Sequence, residues 1–216
     1  MDMNREMRDK LAQLPTGNVA DNNGVAPRQG VMDSGIKPLD PTYHMIGRAV
    51  TVQGYPGDNL AVHQGINAAG EGEILVIDLG GSTEFGHFGD ICALACQMRG
   101  IAGVVIDGAV RDAQDIVELG FPVFARSLSP AGTTKDSLGK VGVPIVCGGI
   151  TVHPGDIVLG DCDGVVVVPQ EHEDEVFAAD QAKFAHEVEY VEQLKAGADT
   201  LTMYGFDKVI ARLQQR

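Results

Sequence analysis

Two continuous apolar runs, EILVIDLGG at 73–81 and VVIDG at 104–108, constrain the fold of this chain more than any other feature. A strand with one wet face alternates apolar and polar residues. A run that is apolar throughout belongs to a strand covered on both faces, as in the middle of a parallel sheet. Between the two lies ICALACQMR, opened by Asp90 and stopped by Gly100, which reads as a helix. Ala113 to Leu119 is a second short helix, ended by Gly120, and FPVFA is a third strand. Strand–helix alternation of this kind specifies an α/β core.

The flanking segments extend that core. IGRAVTVQG (46–54) alternates before Tyr55-Pro56-Gly57 breaks it, and 59–69 reads as a helix capped by Asp58 or Asn59. The second half is β-rich: VPIVCGG (143–149), ITV (150–152), then DIVLG and GVVVVP joined by the hairpin turn Asp161-Cys162-Asp163-Gly164. After Pro169 the acidic turn QEHEDE opens a helix running to about Ala196, with Gly197 as its stop, and a last short helix starts near Phe206. At the other end, residues 4–14 read as a short helix, TGNVADNNG as a polar loop, and 30–41 as turn-rich chain. The 216 residues suit a single domain, 1–216, with a helical extension from about 171.

Composition removes several function classes. With 30 acidic against 16 basic residues the net charge is −14, a surface that repels phosphate backbones and argues against general nucleic-acid binding. The opening MDMNREMRDK lacks the apolar core of a signal peptide, and no apolar run reaches the ~20 residues needed to span a bilayer. A cytoplasmic protein away from membranes is expected. Cys92, Cys96, Cys147 and Cys162 lack ligand spacing and read as buried free thiols.

The chemistry concentrates in one stretch. Asp90 is followed after twenty residues by Arg111-Asp112, and after two more by Asp115. Taken singly, each has a plain explanation: Asp112 and Asp115 as a capping box, Asp90 as an N-cap, Arg111 as their ion-pair partner. Together they put three carboxylates and a guanidinium at two helix N-termini beside buried strands, where open α/β sheets bind ligands. The N–H groups of Ile91 and Cys92 offer an anion site, and Gly86 and Gly89 permit close approach. Such a set is what binding a divalent cation and a keto-acid together requires. His87 reads as a loop histidine, and His44, His63 and His153 show no ligand spacing. Lys135 and Lys140 fall in polar loops, which disfavours a Schiff-base lysine. Arg126, Thr133, Thr134 and Lys135 either reach distal carboxylates of a substrate or belong to a polar loop. No glycine-rich strand–turn–helix with a following acidic partner supports a methyltransferase.

This pattern, with GFPVFARSLSPAGTTKDSLGKVGVPIVCGG, GDIVLGDCDGVVVVP and LKAG, resembles the class II aldolases that cleave 4-hydroxy-4-methyl-2-oxoglutarate and 4-carboxy-4-hydroxy-2-oxoadipate. Those enzymes share a fold with the regulator of ribonuclease activity A. The resemblance implies a three-layer β/β/α, swivelling-domain-like core with a long C-terminal helix. It implies release of pyruvate together with oxaloacetate or a second pyruvate, a secondary oxaloacetate decarboxylase activity, and a place in aromatic-acid catabolism. It also implies roles: Asp112 holding Mg²⁺ or Mn²⁺, and Arg111 holding the keto-acid and stabilising the pyruvate enolate. Asp90 would orient a metal-bound water that takes the C4 hydroxyl proton, and Asp115 would position Arg111 or a further water. Gly89, Asp90, Ile91 and Cys92 would line the substrate. A glutamate from a neighbouring subunit's C-terminal helix would approach the metal; spacing from LKAG places it at Glu187, with Glu189 or Glu192 as alternatives and a solvated helix face as the plain explanation. A homotrimer or hexamer follows. Regulators of this fold typically carry glycine where this chain has Asp90. The rival is therefore a non-enzymatic regulator that binds an RNA-processing enzyme.

Overall fold

The computed structural model describes residues 14–22 and 30–215, with backbone alone at 180–182. The helix expected over 4–14 lies, but for Leu14, outside the described residues. The elements begin with α1 (Thr16–Asn22), β1 (Lys37–Pro38), β2 (Met45–Gln53), α2 (Leu60–Ala68) and β3 (Ile74–Gly86). They continue with α3 (Asp90–Met98), β4 (Gly103–Val110), α4 (Ala113–Leu119), β5 (Val123–Leu128) and β6 (Lys140–Val141). Then come β7 (Ile145–Cys147), β8 (Ile150–Val152), β9 (Ile157–Asp161) and β10 (Gly164–Val168). After a 3₁₀ turn at Gln170–His172 follow α5 (Glu173–Lys195), α6 (Thr200–Met203) and α7 (Phe206–Leu213). Chain packing separates a core unit ending at Phe177 from a helical unit beginning at Ala178.

In the core unit one mixed sheet runs β1-β5-β4-β3-β2-β9-β10, with β6 on β2, and β7–β8 is a separate hairpin. The four strands β2 to β5 are mutually parallel, as the apolar runs require. Their register lines up Val52, Ile77, Ile106 and Ala125 in one row, which packs with Val62, Ala93 and Ile116 of the helices. The adjacent row, Val76, Val105 and Phe124, faces the other way onto Ile145, Cys147 and Val152 of the hairpin. Helix layer, sheet and β layer are thus stitched through side chains that alternate along the same strands. Burying each such Val, Ile or Phe contributes roughly 1.5–3 kcal/mol.

Two segments depart from expectation. TGNVADN is helical rather than a loop, because Asp161, 145 positions away, accepts Thr16 N–H at 2.8 Å and Thr16 Oγ1 at 2.7 Å. That cap is long-range and leaves no local signature. It seats Val19 against Ile46 and Val166. Strand β3 outruns its apolar stretch to Gly86 through register shifts after Asp78 and Ser82, made possible by left-handed Gly80 and Gly81. The β9–β10 hairpin forms as expected, with Asp161 opposite Gly164.

In the helical unit, Tyr204 stacks on Phe206 at 5.3 Å and meets Tyr190 edge-on at 5.1 Å. Phe184, Val188, Val191 and Leu194 of α5 are exposed, as are Leu201, Ile210 and Leu213. Among the described residues no helix is long and apolar enough to cross a membrane. All four cysteines are free and three are buried as expected; Cys162 is instead exposed, because it sits at the tip of the β9–β10 turn.

Candidate active site

Strand β4 is buried along its whole length, so the first side chains it can offer to solvent are those just past its end. Arg111 and Asp112 occupy that position. Asp112 adopts a left-handed backbone (φ 54°), the one non-glycine residue to do so among those described. Aspartate tolerates this region better than bulkier residues, and such conformations gather at functional turns. With that backbone its carboxylate accepts no capping bond from α4, so the capping box expected with Asp115 is absent. Instead, Asp112 Oδ2 lies 3.2 Å from Arg111 Nε.

A second capping explanation also falls away. The N-cap of α3 is Gly89, in extended conformation, and Asp90 is the first helical residue. Its carboxylate is free of capping duty, and the N–H groups of Asp90, Ile91 and Cys92 precede the first intrahelical acceptor pair, Ala93 N to Gly89 O. A helix of this length presents partial positive charge at that end. Gly86 and Gly89 are required by contact rather than by torsion. A Cβ at either would collide, at Gly89 with Asp112 Oδ2 and at Gly86 with the Ser129 carbonyl and Arg111 Cβ.

These groups surround a cavity of about 210 Å³ lined by Gly86, Gly89, Asp90, Ile91, Cys92 and Arg111, and completed by Asn59, His63, His87, Gly132, Thr133 and Lys135. Arg111 is also a wall of an adjoining cleft of about 290 Å³ that contains Asp112, Leu128 and Ser129. The guanidinium therefore stands between the Asp90 pocket and the Asp112 carboxylate. Asp115 is exposed in the first turn of α4, lines neither cleft, and forms no ion pair with Arg111.

His87 lies in the loop between β3 and α3, as expected, yet it is fully buried. Its Nε2 accepts Gly57 N–H at 2.9 Å, and its carbonyl accepts Asn59 Nδ2 at 3.1 Å. With Nε2 accepting, the ring proton resides on Nδ1. Burial pushes the imidazole below its ordinary range, against the pull of the Ala109 and Phe85 carbonyls and of Asp58. The ring thus ties the 57–59 turn to the end of β3 and has no lone pair left for a metal. Cys92 and Cys96 are equally unsuited to chemistry: burial pushes both thiols up, Cys96 to about 12.

The four residues left open as distal contacts divide. Arg126 follows Phe124 on the hairpin side of β5 and is held by Asp107 at 2.5 Å and Asp33 at 3.6 Å, away from the pocket. The Thr134 hydroxyl is bonded to Asp58 at 2.9 Å. Thr133 and Lys135 line the pocket.

For a divalent ion, the observation that matters is Asp112 Oδ1, which accepts no hydrogen bond from the described residues. An ion there would take one protein carboxylate and complete its shell with ligand oxygens and water, a habit of Mg²⁺. Asp161, Cys162 and Asp163 bring three potential ligand atoms closer together. Asp161, however, is already committed to Thr16 and to Asp163 N–H. In the helical unit Glu187 lies 3.9 Å from Lys183 and shares a cleft of about 360 Å³ with His186, Tyr190 and Tyr204. Glu189 faces His186 at 3.7 Å, and Glu192 pairs with Lys195 at 2.8 Å.

Similarity to known proteins identifies the family of this chain. Residues 16–167 match the family model described as RraA-like, Aldolase/RraA. A Halalkalibacterium halodurans protein named "Putative 4-hydroxy-4-methyl-2-oxoglutarate aldolase" is 40% identical over 154 residues, covering 71% of this chain and 73% of that one. The crystal structure of an uncharacterized protein from Pseudomonas syringae pv. tomato aligns with a TM-score of 0.80 at 28% identity, covering 92% of this chain and 96% of that one. Streptomyces coelicolor RraAS2, described as an unusual member of the RNase ES inhibitor RraA protein family, aligns at 0.77 with 27% identity, covering 89% and 98%. With the matched span enclosing Asp90, Arg111, Asp112 and Asp115, the chain belongs to the RraA-like Aldolase/RraA family.

Proposed function

We propose that this protein is a divalent-metal-dependent pyruvate aldolase that cleaves 4-carboxy-4-hydroxy-2-oxoadipate and 4-hydroxy-4-methyl-2-oxoglutarate. The observation that carries this reading is that Asp90 and Arg111 line one pocket while neither is consumed by capping. A pure binding protein has no need of a carboxylate held there, and the regulators this chain resembles are expected to carry glycine at that position.

The chain's own groups can perform each step. The planar fork of Arg111 grips the keto-acid head, and the N–H groups of Ile91 and Cys92 receive its carboxylate. Asp90 holds a water against the C4 hydroxyl and draws its proton away. As the C3–C4 bond breaks, its electron pair moves onto the pyruvate enolate oxygen, which Arg111 faces. Protonation at C3 then gives pyruvate, with oxaloacetate or a second pyruvate as the other product. Mg²⁺ or Mn²⁺ at Asp112 would supply Lewis-acid stabilisation of the same charge. Oxaloacetate decarboxylation passes through the same enolate and becomes a side activity. Lys135 is exposed at the pocket rather than enclosed in the apolar site a Schiff-base lysine needs. Asp115 is left to act on Arg111 through water. We assign 1–216 to one cytoplasmic aldolase domain whose helical extension assembles a homotrimer or hexamer and offers Glu187 to a neighbour's site.

The test is pyruvate release from 4-carboxy-4-hydroxy-2-oxoadipate with Mg²⁺, repeated in EDTA. Chelation should abolish activity, Mg²⁺ or Mn²⁺ should restore it, and the fold should survive throughout. Absence of pyruvate with the metal present sinks the aldolase reading. Full activity in EDTA sinks the class II mechanism.

A further inference from the structure

We propose that the loop from Gly132 to Ser137 recognises a second anionic group on the substrate, with Lys135 as the specificity-determining cation and Asp58 as the residue that positions it. This rests on the aldolase reading for the identity of the keto-acid head, but its own observations concern a different strand connection that lines the same pocket.

That connection carries a cation in a molecule that is acidic on balance. In a chain of net charge −14, Arg111 stands at one side of the cavity and Lys135 lines it from another strand connection. Among the described residues no carboxylate lies within ion-pair distance of the Lys135 ammonium. Burial pushes the Cys92 thiol up, while Arg111 and Lys135 both pull against it, so the two cations share the field around one buried atom of the pocket wall. A keto-acid head held by Arg111 and the α3 terminus leaves a second carboxylate of the same molecule facing Lys135 and Thr133.

The loop has no regular structure of its own, yet it is fixed. Asp58, 4% exposed, accepts Leu60 N–H through Oδ1 at 2.9 Å. Its Oδ2 takes three donors from the loop: Thr134 Oγ1 at 2.9 Å, Asp136 N–H at 2.5 Å and Ser137 N–H at 3.1 Å. Thr134 N–H also bonds Gly57 O at 2.8 Å, and Thr134 O accepts Asn59 N–H at 3.1 Å. Lys135 is therefore presented between two anchored neighbours. The side chain of Asp58 does not line the cavity; it acts only through the loop. An asparagine at 58 cannot replace it, because its NH₂ would confront either Leu60 N–H or the three loop donors.

The experiment uses the full chain with Mg²⁺ and compares 4-hydroxy-4-methyl-2-oxoglutarate with 4-hydroxy-4-methyl-2-oxopentanoate, which lacks the second carboxylate. The diacid-to-monoacid ratio of kcat/KM should fall about fivefold or more in Lys135→Met, the scale of one partly exposed ion pair. Lys135→Arg should restore part of it. Asp58→Asn should lower the ratio comparably, with the loss in KM for the diacid rather than in kcat. An equal loss on both substrates would overturn the proposal. In parallel, calorimetry measures 2-oxoglutarate against pyruvate with wild type and Lys135→Met. This arm decides the matter even if neither substrate is cleaved, an outcome that would refute the aldolase reading alone. Wild type that binds the diacid no better than the monoacid overturns the role of the loop.

Discussion

Gly89→Ala separates the chemistry of this site from the stability of the fold. The backbone at 89 is extended (φ −133°, ψ −171°), so alanine brings no torsional strain. Its methyl would, however, fall on Asp112 Oδ2, with Cγ and Nε of Arg111 each 3.3 Å away. Asp112 has little backbone freedom to retreat, since it already sits in the left-handed region. Its carboxylate must swing off, taking with it the 3.2 Å pairing to Arg111. Displacing catalytic groups by about 1 Å costs on the order of a hundredfold in rate, or about 2.7 kcal/mol of barrier. The folded state loses far less: the paired side chains are 47% and 33% exposed, and such pairs contribute about 0–1 kcal/mol. For a chain of this size that is a fall in Tm of about 4 °C at most. Pyruvate release, coupled to NADH oxidation, should therefore drop about a hundredfold while thermal unfolding barely moves. Gly17→Ala, which meets nothing within 4 Å, is the control: it should leave turnover unchanged and, being within helix α1, leave the thermal midpoint unchanged or slightly raised. A folded Gly89→Ala with wild-type kcat would remove the chemistry from Arg111 and Asp112.

Other perturbations probe the remaining parts. Arg111→Ala and Asp112→Ala should each lower turnover by about a hundredfold or more, and Arg111→Lys should fail substantially because an ammonium cannot reproduce the fork; near-normal rates in folded variants would reject the assignment. His87 links pH to stability. Its folded pKa lies below the ordinary 6.5, so its contribution is complete above about 6.5 and is lost as pH falls from there toward the depressed value. Thermal midpoints of wild type and His87→Gln should diverge above that window and converge below it, and parallel curves would contradict the neutral, accepting ring. Deletion from about residue 186 onward should weaken assembly and activity together in light scattering and turnover assays, and a fully active monomer would strip Glu187 of its proposed role.

The frame of this molecule is legible from residues 73 to 128 because burial on both faces leaves a strong local signature. Runs such as VVIDG call for a strand covered on both faces, which the helix-alternating middle of this chain supplies as a parallel sheet. What was not legible depends on contacts distant in sequence. Thr16 becomes a helix start only through Asp161, and His87 is buried only because Gly57 and Asn59 close over it. The capping reading of Asp90 and Asp112 was locally sound. One backbone torsion at Asp112 and the placement of Gly89 as the N-cap defeat it. Arg126, in contrast, was separable in principle: it is one residue past Ala125 on an alternating strand, so it must share the face of Phe124 rather than that of the helices.

The candidate site is made by backbone joinery at four strand ends more than by its charged residues. Gly57 N–H on His87, Asn59 on the His87 carbonyl, His87 N–H on Ala109 and Gly86 N–H on Ala131 tie the connections after β2, β3 and β5 to the end of β4 in one rim. None of these bonds places a charge in the pocket. They fix where Arg111, the α3 terminus and the 132–137 loop stand before any ligand arrives. Preorganised donors of that kind require no rearrangement when charge develops, which is why they stabilise a transition state more effectively than water does. The acidic surface then has a physical counterpart. The cavity holds positive groups from two connections and a helix end within a molecule of charge −14. An anionic substrate therefore meets cations inside that rim, although the molecule around it is acidic on balance.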